Sequence, residues 1–282
     1  MSTPGLQSMS VKHTAFWVCC CLWVIALTGC SRSHYDTTLT DAKVEAVAKR
    51  IHLNGNAWGI AELKSILKSE SSHPRANLLL AELLLNEDPD NADVSKYLKR
   101  ATSKRAPMDM RYRAVTTQCR IHIQRGKTDE ASAVAGKLVA DAIKEGWSDE
   151  GKKATQELFR EVKMADIQFN KERLGNVATF SAAEALLAEA PEHAAVRLSY
   201  GVMLREAGEW DRATEQFQIV MAAHADGWLG FASRAGLAKT YFARGDISQA
   251  KQLAGIARKM GASMGMSEEI LNQHLRPIES SR

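Results

Sequence analysis

Residues 200–217, Tyr-Gly-Val-Met-Leu-Arg-Glu-Ala-Gly-Glu-Trp-Asp-Arg-Ala-Thr-Glu-Gln-Phe, are echoed by residues 237–254, Leu-Ala-Lys-Thr-Tyr-Phe-Ala-Arg-Gly-Asp-Ile-Ser-Gln-Ala-Lys-Gln-Leu-Ala. In both stretches a small residue (Gly201, Ala238) precedes a large apolar one (Leu204, Tyr241), then a glycine (Gly208, Gly245) and an alanine (Ala213, Ala250). The small residues let two helices approach closely, while Leu204, Tyr241, Phe217 and Leu253 fill the space between neighbouring helix pairs. Gly208 and Gly245 suit the left-handed conformation that ends a helix before a tight turn.

This pattern resembles the tetratricopeptide (TPR) repeat, a helix-turn-helix unit of about 34 residues. Weaker units are traced toward the N-terminus. Gly55 precedes an apolar run ending at His73-Pro74, and residues 75–107 carry Ala81, Leu84, Tyr97 and Ala101 with Asp88-Pro89-Asp90-Asn91 as the turn. Gly126 leads to Ala131, Ala135 and Leu138; Gly175 leads to Phe180 and Ala183, with Ser181 and Glu184 placed for a capping box. The six turn positions are 33, 38, 49, 33 and 37 residues apart. The long interval holds Glu145-Gly146-Trp147-Ser148-Asp149, a glycine and an N-cap ahead of a polar helix, and predicts a break in the stack. Ser267–Leu275, closed by Pro277, reads as a capping helix. The expected fold is all-α, a TPR-like α-solenoid of five to six units; an unrelated helical bundle is the competing reading. The expected organisation is a leader over 1–29, a tether over 30–40, N-terminal units over 41–145 and C-terminal units over 146–282.

Composition agrees with helix. Six prolines and 6% aromatics accompany abundant Ala, Leu, Glu, Lys and Arg, whose unbranched side chains lose little freedom in a helix. The 37 basic and 33 acidic residues are interspersed, giving a net charge of +4 without the basic stripe that nucleic acid needs.

Residues 15–27 form an uncharged apolar run behind Lys12 and His13. It is shorter than the roughly 20 residues a membrane span takes, and suits a secretory signal. Met9 is an alternative start that would give a compact leader. Leu27-Thr28-Gly29-Cys30 resembles the lipobox of bacterial lipoproteins. That resemblance implies cleavage before Cys30, a diacylglyceryl group on its thiol and a further acyl chain on its amine. Two or more acyl chains anchor stably where one is marginal. An ordinary secretory leader or an uncleaved anchor is the alternative. Ser31, where inner-membrane lipoproteins carry Asp, points to the outer membrane, with the domain facing the periplasm. Residues 31–40 are polar and read as a tether, with the fold starting near Asp41. Cys119, alone beyond the leader, reads as a buried, inert thiol.

No catalytic constellation stands out. The histidines at 34, 52, 73, 122, 193, 224 and 274 lack metal-ligand spacing, and phosphate-binding loops, nucleophile elbows and dinucleotide motifs are absent. Glu157 and Glu161 read as a solvated helix face. No enzyme activity, metal or cofactor is expected. In a solenoid the first helix of each unit lines a groove for peptides or partner helices. Counting from the better repeats places Val202, Arg205, Lys239 and Phe242 in that groove, with Arg120, Lys49 and His52 from weaker units; ordinary surface is the alternative for each. Their basic and apolar mix suits a partner segment with acidic and hydrophobic side chains. The expected role is a scaffold or assembly factor for an envelope machine, of the pilus, secretion or outer-membrane assembly type. A regulator of a cell-wall or polysaccharide-synthesis enzyme, and a soluble secreted binding module, are the alternatives.

Overall fold

The computed structural model describes residues 39–104 and 106–280. The leader, Cys30 and Ser31 lie outside them. Among the described residues are thirteen α-helices and no strand: α1 (Leu39–Asn54), α2 (Asn56–Ser69), α3 (Pro74–Glu87), α4 (Val94–Ala101), α5 (Met108–Gln124), α6 (Thr128–Lys144), α7 (Asp149–Phe169), α8 (Lys171–Glu189), α9 (Ala194–Glu206), α10 (Trp210–Ala223), α11 (Gly227–Arg244), α12 (Ile247–Ser263) and α13 (Glu268–Glu279). The first described helix starts at Leu39, two residues before the expected start of the fold near Asp41.

The chain forms two compact units that divide between Val162 and Lys163, inside α7 rather than at the expected boundary after residue 145. In the first, each of α1 to α5 packs on the next helix, and α1 on α3 and α3 on α5 pack side by side. In the second, each of α8 to α12 packs on the next, and α9 on α11 and α11 on α13 do the same. Consecutive contact together with odd-to-odd contact is how α-solenoids stack. Val44, Leu63, Leu80, Leu84, Tyr97 and Leu98 centre the first core. Leu198, Leu204, Phe217, Val220 and Leu237 centre the second, with Phe231, Leu271 and Leu275 closing its end. Each of these side chains contributes about 1.5–3 kcal/mol by leaving water.

Local chemistry explains the helix ends. His73 and His193 cap α3 and α9, each Nδ1 accepting a backbone N–H, from Ala76 at 3.2 Å and from Val196 at 3.4 Å. The Nε2 of His73 lies 3.0 Å from Asp41 Oδ1, so the Nε2–H tautomer satisfies both ring nitrogens. Gly55 breaks α1 from α2 with φ 84° and ψ 165°, and Gly175 repeats that conformation at φ 74° and ψ 162°. A side chain is excluded from this region, so only glycine makes the break cheaply. Gly175 thus marks a non-helical kink between the two helical segments of α8, as Gly55 does between α1 and α2. Ser181 and Glu184 lie inside α8, past that bend, so the expected capping box does not form. The Glu184 carboxylate instead accepts from the Tyr200 hydroxyl at 2.5 Å and from Arg212 at 2.6 Å. Pro277 does not end α13, which runs on to Glu279.

These landmarks recur at one spacing. Gly55 and Gly175, His73 and His193, and Tyr97 and Phe217 each stand 120 residues apart. Gly126 and Gly245, Ala131 and Ala250, Gly146 and Gly265, and Ser148 and Ser267 each stand 119 apart. Ser148 and Ser267 play the same part, their hydroxyls accepting from Gly151 N–H at 3.1 Å and Ile270 N–H at 3.4 Å. The second unit therefore repeats the first. The start of α7 stands in the register of α13 and its end in the register of α1, which is why the division falls within that helix.

Candidate protein-binding groove

The odd-numbered helices of each unit lie side by side and share one face, and the residues expected in the groove separate on it by depth. Val202 is 4% exposed and belongs to the second core. It was expected in the groove, but α9 is packed upon by α8, α10 and α11, which leaves little of its circumference open. Phe242 is half-buried and packs on the end of the same core. Lys49 and His52 are exposed on α1, where Lys49 Nζ lies 3.5 Å from Glu45, and Arg120 is half-buried on α5.

Arg205 and Lys239 are brought together. Arg205, on α9, retains 16% of its side-chain exposure, lies 3.9 Å from Glu206 and has a buried Nη1 without a hydrogen-bond partner. Burial pushes its pKa below the ordinary guanidinium value, against the pull of Glu206. Lys239, on α11, is lowered to about 8 by burial first and by the Arg205 charge second, with Glu206 opposing. Its Nζ lies 3.4 Å from Nδ1 of His274 on α13. Burial, then the Lys239 charge, lowers His274 to about 4, so at neutral pH the ring is uncharged. His274 also stands edge-on to Phe231, with ring centroids 6.2 Å apart. A row of basic side chains thus crosses three helices of the second unit, while Lys171 donates to the other oxygen of Glu206 at 2.6 Å.

His274, Glu206 and Lys171 were missed by the sequence reading. The available signal was the position of His274 between Leu271, Leu275 and Ile278 on the apolar side of α13, which commits it to facing α11.

Elsewhere the titratable groups serve packing. Arg111, 3% exposed, bridges Asp141 and Glu145 and lies 5.3 Å from the Trp147 ring, whose Nε1–H donates to Glu145 at 3.2 Å. The Arg111 hydrogen bond holds the Glu145 carboxyl below its ordinary value. Glu161 is not on a solvated face: it is 5% exposed, and burial, then Glu157, raises it to about 8. Cys119 is buried, its Sγ 3.5 Å from the Ala131 carbonyl, and burial pushes its thiol up to about 12. Among the described residues no group of three or more His, Cys, Asp or Glu is arranged to hold a metal, and no helix is long and apolar enough to cross a membrane.

No family model and no curated protein matches this sequence.

Proposed function

We propose that this protein is a bacterial lipoprotein of TPR type. Anchored through Cys30 to the outer membrane, it serves as a protein-interaction scaffold or assembly factor in the cell envelope and acts by binding rather than by catalysis. The observation that carries the binding part is the row of odd-numbered helices, which presents Arg205, Lys239 and Phe242 on one face of a helix-pair stack. Extended faces of this kind recognise peptides and helices through many shallow contacts. The anchoring part rests on Leu27-Thr28-Gly29-Cys30 directly behind the apolar run.

Two experiments test it. Palmitate labelling of cells should follow the wild-type chain and vanish in Cys30→Ala; label that persists in the variant overturns the anchor. Crosslinking in cells followed by purification should recover components of a pilus, secretion or outer-membrane assembly machine. Recovery of a cell-wall or polysaccharide synthase whose activity changes on binding would replace the scaffold by a regulator.

A further inference from the structure

The row formed by Arg205, Lys239 and His274 costs the fold stability. Two cations are drawn largely out of water, and Lys239 is disfavoured by both burial and the Arg205 charge. Glu206, an acid coupled to both, is also held by Lys171. Nη1 of Arg205 is buried and makes no hydrogen bond. Buried donors without acceptors are uncommon and costly, and a cationic one is costlier still. The register of the repeat shows that the fold does not require this arrangement. The first-unit counterparts of Arg205, Lys239 and His274 are Leu85, Arg120 and Thr155, at spacings of 120, 119 and 119 residues. A leucine and a threonine stand there without loss of the helix pairs.

Resting on the binding role argued above, we propose that Arg205 and Lys239, with His274 behind them, form an anion-receiving subsite that takes a glutamate or aspartate carboxylate of the bound protein segment. A planar carboxylate accepts from a guanidinium and from an ammonium at once, and it relieves the repulsion between the two cations. The neutral His274 ring leaves Lys239 as the charge on that side. The half-buried Phe242, less than one turn before the Gly245 exit of the same helix, supplies apolar surface on the helix that carries Lys239. An acidic residue flanked by aliphatic ones matches this combination. A phosphate dianion matches it less well, since Glu206 already places a negative charge against Arg205.

The test uses the full chain in detergent and three fluorescein-labelled, C-terminally amidated peptides of one leucine-rich sequence, carrying two glutamates, two glutamines or two phosphoserines. Fluorescence anisotropy should show binding of the glutamate peptide that weakens with added salt, and about tenfold or more weaker binding of the glutamine peptide, the loss expected for a hydrogen bond to a charged group. Arg205→Gln and Lys239→Met should each weaken the glutamate peptide about tenfold, and Lys259→Gln, at an exposed lysine on α12 outside the groove, should leave it unchanged. Lys239→Met stands in if Arg205→Gln fails to give a cooperative thermal melt. Equal binding of the glutamate and glutamine peptides, no binding of either, or tighter binding of the phosphoserine peptide overturns the subsite. Crosslinked partners still recovered with Arg205→Gln in cells would show that the scaffold reading survives its loss.

Discussion

Tyr97 in the first unit and Phe217 in the second hold the same place in the repeat, yet they are packed differently. Tyr97 is 8% exposed, lies 5.6 Å from Lys96 Nζ and has Ala81 and Thr117 in the neighbouring register positions. Phe217 is fully buried, and its neighbours in those positions are Gly201 and Gly236. A Cβ on Gly201 would stand 3.0 Å from the Phe217 ring, and one on Gly236 would stand 2.5 Å from it. The ring has sunk between two helices that surrendered their side chains to admit it. One backbone plan therefore supports two cores by exchanging volume across a contact, which close packing demands. The counterparts Leu85 and Arg205, and the buried Thr155 and His274, differ just as freely. Landmarks that shape the backbone are held in both units, and the side chains that meet across helices are free to diverge.

The comparison is broken most severely at its aromatic pair. Phe217→Ala should cost about 4 kcal/mol, and Tyr97→Ala less, because a fully enclosed ring leaves the larger cavity. Urea unfolding of both variants checks this, and equal losses would remove the distinction.

Next comes the acid in the register of Asp41, which is Glu161, 120 residues on. Asp41 meets His73, whereas Glu161 Oε1 is buried without a hydrogen-bond partner. Its carboxyl, near 4.5 in the unfolded chain, stands at about 8 when folded. The unfolded state then binds fewer protons between those values, and the stability of the native state falls as pH rises through them. Glu161→Gln should therefore stabilise the protein by about 3 kcal/mol at pH 7 and by almost nothing at pH 4. Melting curves across that range give the measurement.

His274 works in the opposite sense. Its folded value of about 4 lies below the ordinary 6.5, so the unfolded state binds more protons between them and stability is lost as pH falls. Between pH 7 and pH 5 the loss should be about 2 kcal/mol. His274→Thr, which installs the first unit's residue, should remove that loss; an unchanged profile would assign it elsewhere. The smallest effect is at the paired caps. His73→Ala and His193→Ala should each cost about 1 kcal/mol. Asp41→Asn should add to the His73 cost only if the Asp41 contact contributes, which urea unfolding of the single and double variants measures.

The turns were the most legible part of the chain. Gly55, Gly126, Gly208 and Gly245 were placed between helices by spacing alone, and each has a positive φ there. Gly175 was legible in the same way, and it joins two helical segments across a kink in α8. The glycine turn at Gly146 and the Ser148 cap after it were legible, while the division at Val162 was not. That division becomes visible through the spacing of 119 to 120 residues, longer than the single repeat on which the reading was built. Glu161 looked solvated because its neighbours Lys153, Glu157 and Arg160 are charged, and burial there follows from helix packing rather than from local composition. Arg205 and Lys239 were found by counting positions on two good repeats. The same count placed Val202 one layer too shallow, since periodicity gives the direction of a side chain and not the depth of cover over it.

By itself, the sequence determined the helical class, the glycine turns, the Ser148 cap and the helix at the end. These depend on backbone conformation and on hydrogen bonds within a few residues, which short stretches of chain specify. Only the tertiary structure decided that Arg205, Lys239 and His274 meet, that Phe217 lies between two glycines from different helices, and that Glu161 is cut off from water. Such contacts join residues tens of positions apart, and they exist only once helices stack at a particular spacing and rotation.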